Sequence, residues 1–200
     1  MPPPVTATLI ALNVGAYFLS AALPQLAVGL ALWPLGGEWL LIPKAGFAPW
    51  QLVTYAFLHG SLVHLAFNMF GLYMFGGALE QTLGRGRFIA YYFACVVSAA
   101  ITQLVVLQLS GTFVPTVGAS GGVFGLVLGY AMFFPHHRIV LLIPPIPMSA
   151  RTFAVVYALV ELALGVFASQ QGIAHFAHLG GMAGGWLLLR HWGLRARGRL

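Results

Sequence analysis

From residue 5 to residue 23 the chain carries no charged side chain. Comparable apolar stretches recur at 52–79, 88–109, 120–134, 152–167 and 174–189, and the only charged residue inside any of them is Glu161. A bilayer core takes about 20 predominantly apolar residues per crossing helix. With 60% hydrophobic and 6% charged residues, against about 25% charged in a soluble domain, such a chain needs lipid as its solvent. The expected fold class is all-α: a polytopic bundle of six transmembrane helices, one membrane domain over residues 1–200, with no soluble domain and no repeat. Residues 24–51 are irregular and hold Pro34, Gly36, Gly37, Glu38, Pro43, Lys44 and Pro49. Their Trp, Leu and Ile content reads as a long first loop lying in the membrane interface. The start, Met1-Pro2-Pro3-Pro4, lacks the positive region of a cleaved signal peptide. The single Cys95 excludes an internal disulfide.

The net charge of +6 suggests nucleic acid at first sight, but the basic residues form no patch on a soluble domain. They follow topology instead. Arg85 and Arg87 fall in the second loop, Arg138 and Arg151 in the fourth, and Arg190, Arg195, Arg197 and Arg199 in the C-terminal tail. Lys44, in the first loop, is the one basic residue on the other side. This is the positive-inside pattern, with both termini cytoplasmic and the odd loops facing out.

Polar groups within spans are costly and are functional candidates by default. The second span carries His59, His64 and Asn68; the fourth opens on Gly118-Ala119-Ser120-Gly121-Gly122; the sixth carries His175 and His178. All three spans start at the outer face in this topology, so their polar groups share one layer. Gly121, Gly125 and Gly129 on the fourth span, and Gly181 and Gly185 on the sixth, form small-residue stripes that let backbones approach closely. Close approach there sets Ser120 beside His178.

A serine hydroxyl becomes a nucleophile only beside a base, usually an imidazole. The chain has no aspartate, and its three acids are Glu38, Glu80 and Glu161. Glu38 lies in the first loop, Glu80 at the inner end of the second span, and Glu161 mid-span, too deep by sequence position. The expectation is therefore a Ser120–His178 dyad. A developing oxyanion needs donors, available from His64, Asn68 and the backbone N–H of Ser120 at a helix start. Each residue has a plainer role to weigh against this one. Ser120 also suits a helix N-cap. His175 competes with His178 for the base, but only His178 is followed by glycines three and seven positions on. His59 reads as structural, satisfying loop backbone.

Gly118-Ala119-Ser120-Gly121, His64 with Asn68, and His178 with Gly181 and Gly185 resemble, in order and placement, the three signatures of rhomboid intramembrane serine proteases. The resemblance runs from about Trp50 to Gly185. It implies Ser120 as nucleophile, His178 as base, and His64, Asn68 and backbone N–H groups as the oxyanion hole. It further implies that Phe124 packs against the catalytic imidazole, and that the first loop and fifth helix gate substrate entry. A Trp-Arg pair common in the family before the second helix reads Trp50-Gln51 here, a change that bears on how the first loop is anchored.

Two other functions fit parts of the pattern. A metal protein would draw on His59, His64, His175 and His178, since imidazoles suit Zn²⁺ or Cu²⁺; but His59 and His64, five apart, are expected to face different directions, no carboxylate or thiol is expected nearby, and a His-Glu-x-x-His motif is lacking. A small transporter or channel would place ionisable groups along a midplane path, where only Glu161 sits. The preferred reading needs no cofactor and no metal. Its partners are transmembrane protein substrates and membrane lipid, with no nucleic acid. Its location is a bacterial cytoplasmic membrane, with the site opening outward. Oligomeric state, physiological substrate and cleavage sequence are not legible.

Overall fold

A computed structural model describes residues 2–36, 46–140, 145–167 and 174–194. The helices in chain order are α1 (Pro4–Ala22), α2 (Pro24–Leu30), α3 (Gln51–Thr54), α4 (Leu62–Gly71), α5 (Gly77–Leu83), α6 (Arg85–Ser110), α7 (Ser120–Phe133), α8 (Ala150–Phe167) and α9 (His175–His191). α4 and α5 form one continuous rod, Leu62–Leu83, joined through a π-helical turn at Leu72–Gly76. Among the described residues, four helices are long and apolar enough to cross a membrane: Pro4–Ala22, Leu62–Leu83, Arg85–Ser110 and Ala150–Phe167. The other two of the expected six, α7 with 14 residues and α9 with 17, are shorter. α9 packs most extensively against α6 and α7. The protein is an integral multi-pass membrane bundle.

The second span begins later than its apolar run suggests. Residues 51–57 form the short α3 and a 3-10 turn, Tyr55–Phe57, and the rod starts only at Leu62. Ser61 sets that start, its Oγ accepting the His64 N–H at 3.1 Å, the usual capping bond. Between α7 and α8 lies a small antiparallel hairpin, β1 (Arg138–Val140) with β2 (Pro147–Ser149), pairing Ile139 with Met148.

Two buried polar side chains lock the periphery. Glu80, at the far end of the Leu62–Leu83 rod from His64, accepts from Val5 N at 3.0 Å, Thr6 N at 2.7 Å and Thr6 Oγ1 at 2.8 Å. A carboxylate there satisfies orphan donors and complements the positive end of α1. Gln51, 1% exposed, accepts from Trp33 N at 3.1 Å and donates to Gly46 O at 2.8 Å. Trp50 Nε1 donates to Gly29 O at 3.0 Å, and Thr54 Oγ1 to Leu30 O at 2.7 Å. The first loop is thus tied to α3 by neutral hydrogen bonds where the resemblance led one to look for an arginine. Glu38 and Lys44 lie outside the described residues, as do Arg195, Arg197 and Arg199.

The segment leading into α7 is held just as firmly. Leu32 and Thr116 exchange backbone hydrogen bonds at 3.0 and 2.9 Å, and Gly118 N donates to Tyr55 O at 3.0 Å. Tyr55, itself buried, donates from its hydroxyl to Val96 O at 2.9 Å. The start of α7 is fixed from the first loop on one side and from α6 on the other.

Candidate active site

Ser120 is the first residue of α7, with Ala119 as the N-cap. Its hydroxyl is not spent on a capping bond; it sits 2.8 Å from His178 Nε2. Gly118 makes the approach possible. Its φ is +129°, a conformation L side chains rarely adopt. A Cβ there would lie 2.8 Å from His64 Cε1 and 2.9 Å from Nε2. The same glycine therefore brings the His64 ring against the turn that presents Ser120.

Glycines also set the distance between α7 and α9. A Cβ on Gly181 would overlap the carbonyl oxygen of Gly121 and stand 2.7 Å from its carbonyl carbon. A Cβ on Gly121 would overlap Ala99, and one on Gly185 would come 2.5 Å from the Tyr91 hydroxyl and 2.9 Å from Cys95 Sγ. At Gly181 the backbones of α7 and α9 touch, as close-packed membrane helices do, while Gly121 and Gly185 leave room for side chains of α6. Phe124, one turn beyond Ser120, lies flat on the His178 imidazole: ring centroids 4.3 Å apart, planes within 3°. The stack and the serine together hold the imidazole on two sides.

The third side is an acid. Glu161 Oε2, on α8, lies 2.8 Å from His178 Nδ1 and 2.7 Å from His175 Nδ1. All three side chains are at most 10% exposed. This overturns the expectation that Glu161 is too deep to reach the serine–histidine pair. Glu161 stands six residues before the end of α8 and His178 three residues after the start of α9. At 1.5 Å per residue, and with the two helices antiparallel, their Cα levels differ by only about 4–5 Å, a gap a glutamate side chain covers. His175 is accounted for by the same carboxylate, and it is His178 whose Nε2 faces the serine.

Around the pair opens a cavity of about 1260 Å³, lined among others by His64, Phe67, Asn68, Ser120, Phe124 and His178. Asn68 donates one amide hydrogen to His64 O at 3.0 Å, leaving a second. His59 packs edge-on against His64, centroids 5.0 Å apart, and neither of its ring nitrogens meets a hydrogen-bond partner among the described residues. The ring does interact with the loop backbone at Phe57, as expected of a structural histidine, though more loosely than a formed hydrogen bond. Among the described residues, the one group of His, Cys, Asp and Glu close enough to share an ion is Glu161, His175 and His178. It brings a carboxylate to His175 and His178, against the expectation that none lies nearby, and it does not include His59 or His64, so the four-histidine metal site weighed from sequence does not assemble.

The family model for the rhomboid domain matches residues 47–193. The chain belongs to the rhomboid family. Relatives include Rhomboid protease GlpG of Klebsiella pneumoniae, 30% identical over 148 residues, covering 74% of this chain and 50% of the relative. Rhomboid protease GluP of Bacillus subtilis is 30% identical over 162 residues, 81% of this chain and 28% of its own length. The mitochondrial Rhomboid protein 1 of Saccharomyces cerevisiae is 30% identical over 159 residues, 75% of this chain and 46% of its own. The chain thus spans half or less of the length of these relatives.

Within this rhomboid domain the residues singled out from sequence (Gly118, Ser120, Gly121, Phe124, Gly181, Gly185, His64, Asn68 and His178) gather around one cavity or at the helix contact beneath it. Glu161 was the omission. Its signal was available: a lone carboxyl within an apolar span is too costly to leave unpaired, and His175 and His178 are the nearest titratable groups after it in the chain.

Proposed function

We propose that the chain is an intramembrane serine endopeptidase in which Ser120 is the nucleophile and His178 the general base. The observation that carries the reading is the 2.8 Å contact between Ser120 Oγ and His178 Nε2, at the wall of a cavity inside a bundle of apolar helices. Ser120 Oγ attacks the scissile carbonyl carbon while its proton passes to His178 Nε2, and the carbonyl π pair moves onto oxygen. The oxyanion is met by the unpaired N–H of Ser120 at the start of α7, by the free amide hydrogen of Asn68 and by the His64 ring. As the C–N bond breaks, the imidazolium returns its proton to the leaving amine. A water molecule, deprotonated by the same imidazole, then releases the acyl group.

Depth supports an intramembrane reaction. α7 has 14 residues and rises about 21 Å, some 10 Å short of a roughly 30 Å hydrocarbon core. With its far end at one interface, Ser120 lies below the other. Substrates of this reading are single-span proteins whose helix unwinds there, because a helix keeps its backbone hydrogen-bonded and shielded in lipid. The arginine distribution supports cytoplasmic termini and an outward-opening site. The direct test is purified protein in detergent or liposomes with a single-span transmembrane substrate. Cleavage by wild type and none by Ser120→Ala is the expected result; equal cleavage by both refutes the assignment.

A further inference from the structure

We infer that Glu161 is the positioning acid of this reaction, with His175 holding it in place, so that the base is oriented by a carboxylate and not by packing alone. The inference rests on the Ser120–His178 reading above and extends it. An ionised carboxylate only accepts hydrogen bonds. With Glu161 Oε2 at 2.8 Å from Nδ1 of His178, the neutral imidazole carries its proton on Nδ1. Nε2 is then bare and faces the Ser120 hydroxyl at 2.8 Å. The opposite tautomer would present an N–H to the serine and could take no proton from it. Which nitrogen of a histidine carries the proton is set by the partner of the other nitrogen, and here that partner is Glu161.

His175 explains why a carboxylate survives at this depth. A buried charge is tolerated only when paired and hydrogen-bonded, and Glu161 Oε2 has two ring donors, His178 and, at 2.7 Å, His175. The second donor anchors the carboxylate whether or not His178 is occupied with its proton transfer. When Ser120 attacks, the proton leaving Oγ makes His178 an imidazolium. Its Nδ1–H stays on the Glu161 carboxylate, which keeps its charge and takes up no proton. Phe124 fixes the plane of the ring, and Glu161 fixes its rotation within that plane.

The test uses the whole protein in detergent with ring-¹⁵N-labelled histidine, His178→Ala identifying the His178 signals. Steady-state cleavage of a single-span transmembrane peptide is measured alongside for wild type, Glu161→Gln, Ser120→Ala and His178→Ala. The expected wild-type spectrum shows His178 protonated at Nδ1 and bare at Nε2. Glu161→Gln, which keeps the shape but adds an N–H donor, is expected to lower kcat about 10²- to 10⁴-fold, the range in which an orienting acid of a serine hydrolase acts. KM is expected to stay within about threefold, and part of the His178 population to move its proton to Nε2. A wild-type His178 protonated at Nε2 overturns the inference, whether or not the variant folds. So does Glu161→Gln turnover near wild type while Ser120→Ala and His178→Ala are inactive. Wild-type turnover in Ser120→Ala sinks the underlying reading instead. Activity lost to EDTA and restored by Zn²⁺ also overturns the inference, since an ion would occupy the same three atoms.

Discussion

Gly181→Ala puts a methyl group where the two central helices touch. Its carbon would lie 2.7 Å from the Gly121 carbonyl carbon and overlap the carbonyl oxygen. Two carbons rest comfortably at about 3.5 Å or more, so α7 and α9 must part by about 0.8 Å at least. Gly181 is one turn from His178 and Gly121 is next to Ser120, so the displacement reaches the pair itself. Added to the 2.8 Å contact, it gives about 3.6 Å, beyond a working hydrogen bond. A misplacement of about 1 Å at reacting groups costs on the order of 10²-fold in rate, and the overpacking itself about 1–3 kcal/mol of stability. The control is Gly86→Ala, where a Cβ meets nothing within 4 Å. Cleavage rate and thermal unfolding in detergent are measured for both. We expect about a hundredfold slower cleavage by Gly181→Ala, with a folded protein, and no loss in the control. Gly181→Ala cleaving within about threefold of wild type would show that the glycine contact does not set the Ser120–His178 distance.

Phe124→Leu removes the flat ring 4.3 Å from the imidazole; kcat should fall about tenfold with KM little changed, and Phe124→Tyr should retain most activity. Gln51→Ala removes the acceptor for the Trp33 N–H and the donor to the half-buried Gly46 O; thermal scans should show about 1–3 kcal/mol of destabilisation, the usual cost of losing a buried polar partner. In the six-span topology, a cysteine at Gly86 is labelled by an impermeant reagent only from the cytoplasmic side and one at Thr112 only from outside; the reverse pattern would invert the proposed orientation.

The apolar runs and their arginine-flanked ends made the helices legible, because lipid imposes length and charge on every span. Where the bilayer is not the constraint, reading was poorer. Residues 52–58 are at least as apolar as the helix after them, yet α3 is only four residues long and stops short of the rod; Ser61, three residues before His64, was the readable sign. The β1–β2 hairpin has three-residue strands, too short for a two-residue period to register. Gln51 looked like a departure from the family and proved to anchor the first loop through backbone groups, which no sequence pattern reports. Glu161 was missed because depth was counted along each helix separately. Two antiparallel helices bring residues at unequal counts to similar levels, and a long side chain covers the remainder.

The central claim, that His178 makes Ser120 a nucleophile, is tested most directly by intact-mass analysis after exposure to a fluorophosphonate. An isolated serine hydroxyl is almost inert, and a hydrogen-bonded imidazole activates it. Wild type and His175→Gln should gain one adduct, mapped by peptide sequencing to Ser120, while Ser120→Ala and His178→Ala gain little or none. An adduct on Ser120→Ala equal to that on wild type, or undiminished labelling of Ser120 in His178→Ala, would contradict the account.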